Sequence, residues 1–145
     1  MLKAVGTITV QVRNQDEALA YYTKKLGFEV VSDTPMGPDQ RWLEVAPAGA
    51  QTRILLYKAS PEQPGAASYE SALASIGKST GMVMDVDDIL ATFAQLRQTG
   101  VTILEEPSQQ SYGWWGVFAD QDGNRLWRPQ PRRPPMTLLS GCARR

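Results

Sequence analysis

Residues 112–128 read YGWWGVFADQDGNRLWR, and this stretch decides the fold. Its aromatic run, Tyr112, Trp114, Trp115 and Phe118, suits a pleated, half-buried strand. The run breaks at Asp120-Gln121-Asp122-Gly123-Asn124. There the Asp side chains can bond nearby backbone N–H groups, and Gly123 and Asn124 tolerate positive φ. A second short strand over 125–128 follows, so the segment predicts a β-hairpin with a long, bulged turn. Three of the four tryptophans fall in it. A surface strand has no need of so many large aromatics, so they line a core or a pocket.

Ahead of this hairpin, 82–86 is an apolar strand. Asp87 or Asp88 then caps a helix whose stripe is Ile89, Phe93 and Leu96, ended by Gly100. A strand over 101–104 and a loop over 107–111 lead into the hairpin, giving β-α-β-β-β. The same order stands at the start of the chain. From Thr7 onward, residues 5–12 alternate with period 2: Ile8, Val10 and Val12 on one face, Thr7, Thr9 and Gln11 on the other. Asn14 and Glu17 form a capping box, and Ala18, Leu19, Tyr22 and Leu26 make a helical stripe closed by Gly27. Strands over 28–31, 41–45 and 53–57 follow, with a loop over 35–39. Val12-Arg13-Asn14 reappears as Val86-Asp87-Asp88, and Leu26-Gly27-Phe28 as Thr99-Gly100-Val101, at nearly the same spacing. The chain is therefore two copies of one unit. The expected divisions are a first module over 1–58, a connector over 59–80 that carries a short helix, and a second module over 81–129. A proline-rich basic tail over 130–145 completes the chain. Its Met136 to Leu139 either lie in a loose tail or dock on a neighbouring subunit.

Composition narrows the function. At 145 residues with 42% hydrophobic content the chain can build a real core. Fifteen basic residues balance fifteen acidic ones, so no global field favours nucleic acid or an anionic membrane. No apolar run approaches the roughly 20 residues a membrane helix needs. The single cysteine, Cys142, makes no internal disulfide, and with no secretory leader the expected setting is the cytoplasm. There is no histidine. This excludes Ser-His-Asp and Cys-His catalysis and every His-based metal site.

The ordered motifs Val12-x-Asn14, Ala18-x-x-x-Tyr22-x-x-x-Leu26-Gly27-Phe28, Val86-x-Asp88, Gly100-Val101 and Tyr112-Gly113 through Phe118-x-Asp120-x-Asp122-Gly123-Asn124 resemble the vicinal oxygen chelate superfamily. That superfamily includes glyoxalase I, extradiol dioxygenases, fosfomycin-resistance enzymes and bleomycin-resistance proteins. The resemblance spans roughly residues 5–129. It implies an α+β fold of two tandem βαβββ modules whose mixed sheets curl into a cup, often completed across a homodimer. In metal-dependent members four equivalent positions carry ligands. On this chain they fall at Thr7, near Leu55, at Gly81 and at Trp127, and none of the four is a convincing ligand. The resemblance thus implies a cup without its metal and without the Lewis acid that the superfamily's enzymes use.

The expected function is metal-independent and cofactor-free: sequestration of a small aromatic or amphipathic molecule, as in the bleomycin-resistance branch of antibiotic resistance. The candidate ligand-binding residues are Thr7, Gln11, Trp42, Leu55, Tyr57, Trp115 and Trp127. Trp127 is either an aromatic wall for a planar or cationic ligand or a plug that fills the cup. Trp42 and Tyr57 suit a pocket rim or a core, and one of Trp114 and Trp115 faces the cup. Glu44 and Arg41 read as an ion pair, either at the rim or, more simply, solvated on the surface. Two alternatives stand beside this reading. One is an atypical lyase, isomerase or dioxygenase in which Glu44 or Asp85 performs acid–base work. The other is an interaction module whose cup is packed solid.

Overall fold

A computed structural model of the chain describes residues 1–62 and 68–131. The remainder of the 59–80 connector (63–67), most of the basic tail and Cys142 lie outside the described residues. The elements run β1 (Thr7–Gln11), α1 (Gln15–Ala20), β2 (Glu29–Pro35), β3 (Arg41–Ala46), β4 (Arg53–Tyr57), α2 (Tyr69–Ser75), β5 (Ser79–Val83), α3 (Ile89–Gln98), β6 (Thr102–Gln110), β7 (Gly113–Ala119) and β8 (Arg125–Pro131). They form two four-stranded mixed sheets of the same topology, β1-β4-β3-β2 and β5-β8-β7-β6. In each, the first strand runs parallel to the last of its module and the other pairings are antiparallel. The fold is α+β, two βαβββ units in tandem, and the two sheets do not close into one.

The helix signals act as their chemistry predicts. Asn14 Oδ1 accepts from the Glu17 N–H at 3.0 Å, and Asp88, not Asp87, caps α3 by accepting from the Ala91 N–H at 3.0 Å. Gly27 and Gly100 take φ values of 75° and 84° just beyond their helices, where a Cβ would be strained. The expected uniform helix to Leu26 is not what forms. Beyond Ala20 the chain widens into a π turn over Tyr21–Lys25, with the Leu26 N–H donating to the Tyr21 carbonyl at 3.1 Å.

β2, β6 and β8 run well past their expected ends, β2 reaching Pro35, which pairs with Arg41 of β3. β6 runs through Pro107 rather than ending at 104, and β8 continues through Pro129 to Pro131. Both fit the missing proline N–H. β6 is the sheet edge, with its register shifting between Glu105 and Ser108. Beyond Trp127, among the described residues, β8 pairs only with β7.

Ala18 of α1, Tyr22 in the π turn after it, and Ile89, Phe93 and Leu96 on α3 join Val10 of β1, the adjoining Val12, Leu43, Val45, Ile54 and Leu56 of the first sheet, and Phe118 and Leu126 of the second in one buried cluster. Each such large side chain contributes about 1.5–3 kcal/mol by leaving water. The contacts between modules come from the helix side and the hairpin turn. Tyr21 Oη donates to the Ala119 carbonyl at 2.9 Å, Tyr22 Oη to Asp120 Oδ2 at 2.9 Å, and Thr99 Oγ1 to the Lys25 carbonyl at 2.8 Å. The helix-covered faces of the two sheets therefore meet, and their opposite faces are turned away from that contact.

α3 lies tight on β7. A Cβ added to Gly116 would sit 2.6 Å from Phe93 Cζ and within 3.1 Å of two further ring carbons. Gly116→Ala is expected to cost about 2 kcal/mol through forced displacement of that ring, read as a lower urea midpoint at unchanged slope.

Candidate ligand-binding site

Strand alternation sorts the residues. Since Ile8, Val10 and Val12, Leu43 and Val45, and Ile54 and Leu56 pack in or against the core, the other face of the first sheet carries Thr7, Thr9 and Gln11 of β1, Trp42 and Glu44 of β3, and Arg53, Leu55 and Tyr57 of β4. By the same rule Trp114, Gly116, Phe118 and Leu126 face the helices. The outward face of the second sheet then carries Trp115 and Val117 of β7 with Arg125 and Trp127 of β8. All seven candidate residues fall on these two outward faces: five on the first sheet, and Trp115 and Trp127 on the second.

On the first face the organising group is Glu44, a carboxylate only 6% exposed. One oxygen accepts from Trp42 Nε1. The other lies 3.0 Å from Arg53 Nε and receives a long hydrogen bond, 3.5 Å, from Thr7 Oγ1. The Arg53 N–H is not aimed along that 3.0 Å line, so the contact is an ion pair rather than a hydrogen bond. The expected Glu44–Arg41 pair does not form. Arg41 sits beside the start of α1 and β2, pairing with Asp16 at 2.7 Å and Asp33 at 3.0 Å. Glu44 and Arg41 lie three residues apart on β3 and so face opposite ways.

Trp42 is 37% exposed beside this carboxylate, whereas Leu55 is only 4% exposed although it lies outside the helix-side core. Leu55 is level with Glu44 on β3 and Thr9 on β1, and its neighbours cover it. Gln11 ends the row with a buried side-chain carbonyl that has no hydrogen-bond partner among the described residues. A buried, unmet acceptor costs about 1–3 kcal/mol, so this position gains from any donor brought to it.

The second face is an aromatic ladder. Trp115 and Trp127 meet edge to face with centroids 4.8 Å apart, and Tyr112 adds a third ring 6.3 Å from Trp115. The indole N–H groups are tied to neighbouring strands: Trp115 Nε1 donates to Glu105 Oε2 at 2.8 Å, and Trp127 Nε1 to Ser79 Oγ at 2.6 Å. Together with Trp42 and Glu44, every outward-facing indole has its polar edge occupied by the protein, so the rings have their faces left to offer. Trp115, not Trp114, is the outward member of its pair. That follows from the core's position, which the sequence alone did not supply.

The four positions where related folds hold a metal do not fit one. Thr7 donates to Glu44, Leu55 is a buried hydrocarbon, Gly81 has no side chain, and the Trp127 nitrogen is a donor already used. Among the described residues no three His, Cys, Asp or Glu side chains gather to hold an ion.

Behind the faces, the hairpin turn locks the modules together. Asp120 Oδ1 accepts from the N–H groups of Asp122 and Asn124 at 2.9 and 3.0 Å, and Oδ2 from Tyr22 Oη and Asn124 Nδ2 at 2.9 and 2.8 Å. Asn124 Nδ2 also donates to the Gln11 carbonyl at 3.0 Å, and its Oδ1 accepts from the Gly77 N–H at 2.9 Å. Burial raises the Asp120 carboxyl above its ordinary value despite these donors. Burial, and then the Asp120 charge, push the Tyr22 hydroxyl well above its own. The turn was legible as a turn, but its reach to Tyr22 and Gln11 was not.

A family model for the Glyoxalase/Bleomycin resistance protein/Dioxygenase superfamily matches residues 4–127. The uncharacterized protein YetH of Bacillus subtilis is 40% identical over 124 residues, covering 86% of this chain and 95% of its own. Among solved structures, UcmS2 superposes with a TM-score of 0.76 at 34% identity, over 89% of this chain and 98% of that one. TnmS3, an antibiotic binding protein from Streptomyces sp. CB03234, gives 0.70 at 31% identity, over 90% and 97%.

Proposed function

Because the chain belongs to the glyoxalase/bleomycin resistance protein/dioxygenase superfamily, we propose that it is a binding protein. It sequesters a small, flat aromatic or amphipathic molecule without metal or chemistry. The observation that carries this reading is the set of three outward indoles, Trp42, Trp115 and Trp127, whose N–H groups are all spent within the chain. Such rings recognise a partner through their faces, by stacking, and do so with little ordering cost because they are already held. The likeness to an antibiotic binding protein at 31% identity supports the same class of ligand. A net charge of zero favours a neutral or weakly charged molecule over a strongly cationic one.

Each outward face is open on its own, and a tightly held small ligand has about 70–90% of its surface covered. Pairing two copies, so that one copy's first sheet faces the other's second, supplies that cover. A homodimer is therefore part of the proposal, as is a reducing cytoplasm as its setting. No helix among the described residues is long and apolar enough to cross a membrane.

The test is tryptophan emission titrated with a panel of planar aromatic and amphipathic compounds, antibiotics included, with sedimentation equilibrium on the same sample. Saturable quenching by a subset of compounds, on a protein with twice the chain mass, is the expected result. A monomer that no compound perturbs would refute the reading.

A further inference from the structure

We propose that Arg53 selects the ligand: its terminal NH2 groups donate to an oxygen acceptor carried on the edge of the flat aromatic molecule. This rests on the binding reading above and specifies its chemistry. Arg53 opens β4 on the outward face of the first sheet, level with Thr7. Its Nε is buried and held 3.0 Å from the buried Glu44 oxygen, yet the side chain as a whole is 43% exposed. The exposed part is thus the stem and the two NH2 groups, and among the described residues nothing accepts a hydrogen bond from them. One of these nitrogens lies 3.6 Å from the place a Cβ would occupy on Gly6. The absence of a side chain there leaves room beside the guanidinium.

Two other donors on this face are committed. The Trp42 N–H and the Thr7 hydroxyl both turn to Glu44. Glu44 thereby fixes the indole and the guanidinium with a single carboxylate, so the stacking surface and the donor keep a set relation. Donors held this way lose little freedom on binding, and a planar guanidinium offers two parallel N–H groups to one oxygen or to a neighbouring pair. The Glu44–Arg53 pair has no net charge, so the acceptor need not be an anion: a carbonyl, a phenol or a carboxylate oxygen all fit. Arg125 is the contrast. It lies on the outward face of the second sheet, exposed, with no anchoring carboxylate among the described residues.

The experiment compares two tricyclic probes of nearly equal shape, 9-fluorenone, which carries a carbonyl, and fluorene, which has a methylene in its place. Binding to the full chain is measured by equilibrium dialysis. Wild type is expected to hold fluorenone about tenfold more tightly than fluorene, the scale of a hydrogen bond from a charged donor. Arg53→Met is expected to bring fluorenone to within about twofold of fluorene, with fluorene affinity unchanged. Arg125→Met, which removes the same charge, is expected to keep the full preference. Should Arg53→Met lose fluorene as well, through the Glu44 charge it orphans, the double variant Glu44→Gln/Arg53→Met is judged by the same criterion. Equal affinities in wild type, a preference that survives loss of Arg53, or one that vanishes with Arg125 would overturn the assignment while leaving the binding reading intact. Failure of wild type to bind either probe would overturn both.

Discussion

Asp120→Ala is expected to lower the unfolding free energy by about 4 kcal/mol, because it strands several buried donors at once. Two backbone N–H groups, the Tyr22 hydroxyl and the Asn124 amide all converge on this carboxylate. The loss also frees α1 from the hairpin turn, so the two modules are expected to part before either unfolds. Urea unfolding followed by near-ultraviolet circular dichroism measures the cost, and Tyr22→Phe, which removes a single donor, is expected to cost about 1 kcal/mol. A loss under about 1 kcal/mol for Asp120→Ala would mean that the turn does not join the modules.

The same carboxylate gives a pH dependence with a definite sign. Burial raises the folded-state pKa above the ordinary 3.8, so the folded chain holds the proton more firmly than the unfolded chain does. The stability linked to that proton is complete below pH 3.8 and is lost as pH rises through the raised value. The difference in stability between wild type and Asp120→Asn is expected to shrink across that window and then level off. A difference that grows with pH would contradict the assignment.

Trp127→Ala is the second large effect, expressed in binding rather than in stability. Removing a stacking ring at the centre of the aromatic ladder is expected to weaken any compound that quenches tryptophan by about 30-fold, equivalent to about 2 kcal/mol. The fold is expected to tolerate the change, since Trp127 packs on Trp115 and Ser79 at the surface rather than in the helix-side core. Trp114→Phe serves as the comparison: Trp114 packs against the core, and its replacement is expected to leave affinity within about twofold. Equal effects at Trp114 and Trp127 would remove the distinction between the two sheet faces on which the site is built.

Much of the architecture could be read from local pattern because each unit repeats the same local chemistry. Asn14 and Asp88 cap equivalent helices, Gly27 and Gly100 end them, and alternation along β1 separates Thr7 and Gln11 from the core-facing Val10. What could not be read depends on contacts distant in sequence. The partner of Glu44 is Arg53, not Arg41, because their neighbouring strands bring the two onto one face. The prolines at 107, 129 and 131 sit in strands that, among the described residues, have no partner on one side there. The π turn over Tyr21–Lys25 follows no capping or periodicity signal, yet it accompanies the placement of both tyrosine hydroxyls on the second module. Gln11 lies on the face its alternation predicts, but the tie of its backbone carbonyl to Asn124 spans 113 residues.

Metal-independent binding by indole faces is the central claim, and calorimetry of one quenching compound, with and without chelator, tests it most directly. The account predicts the same dissociation constant in both conditions, saturation at a fixed ratio of compound to chain, and recovery of the compound unchanged by mass spectrometry. Binding abolished by chelator and restored by a divalent ion, or recovery of a converted product, would contradict it.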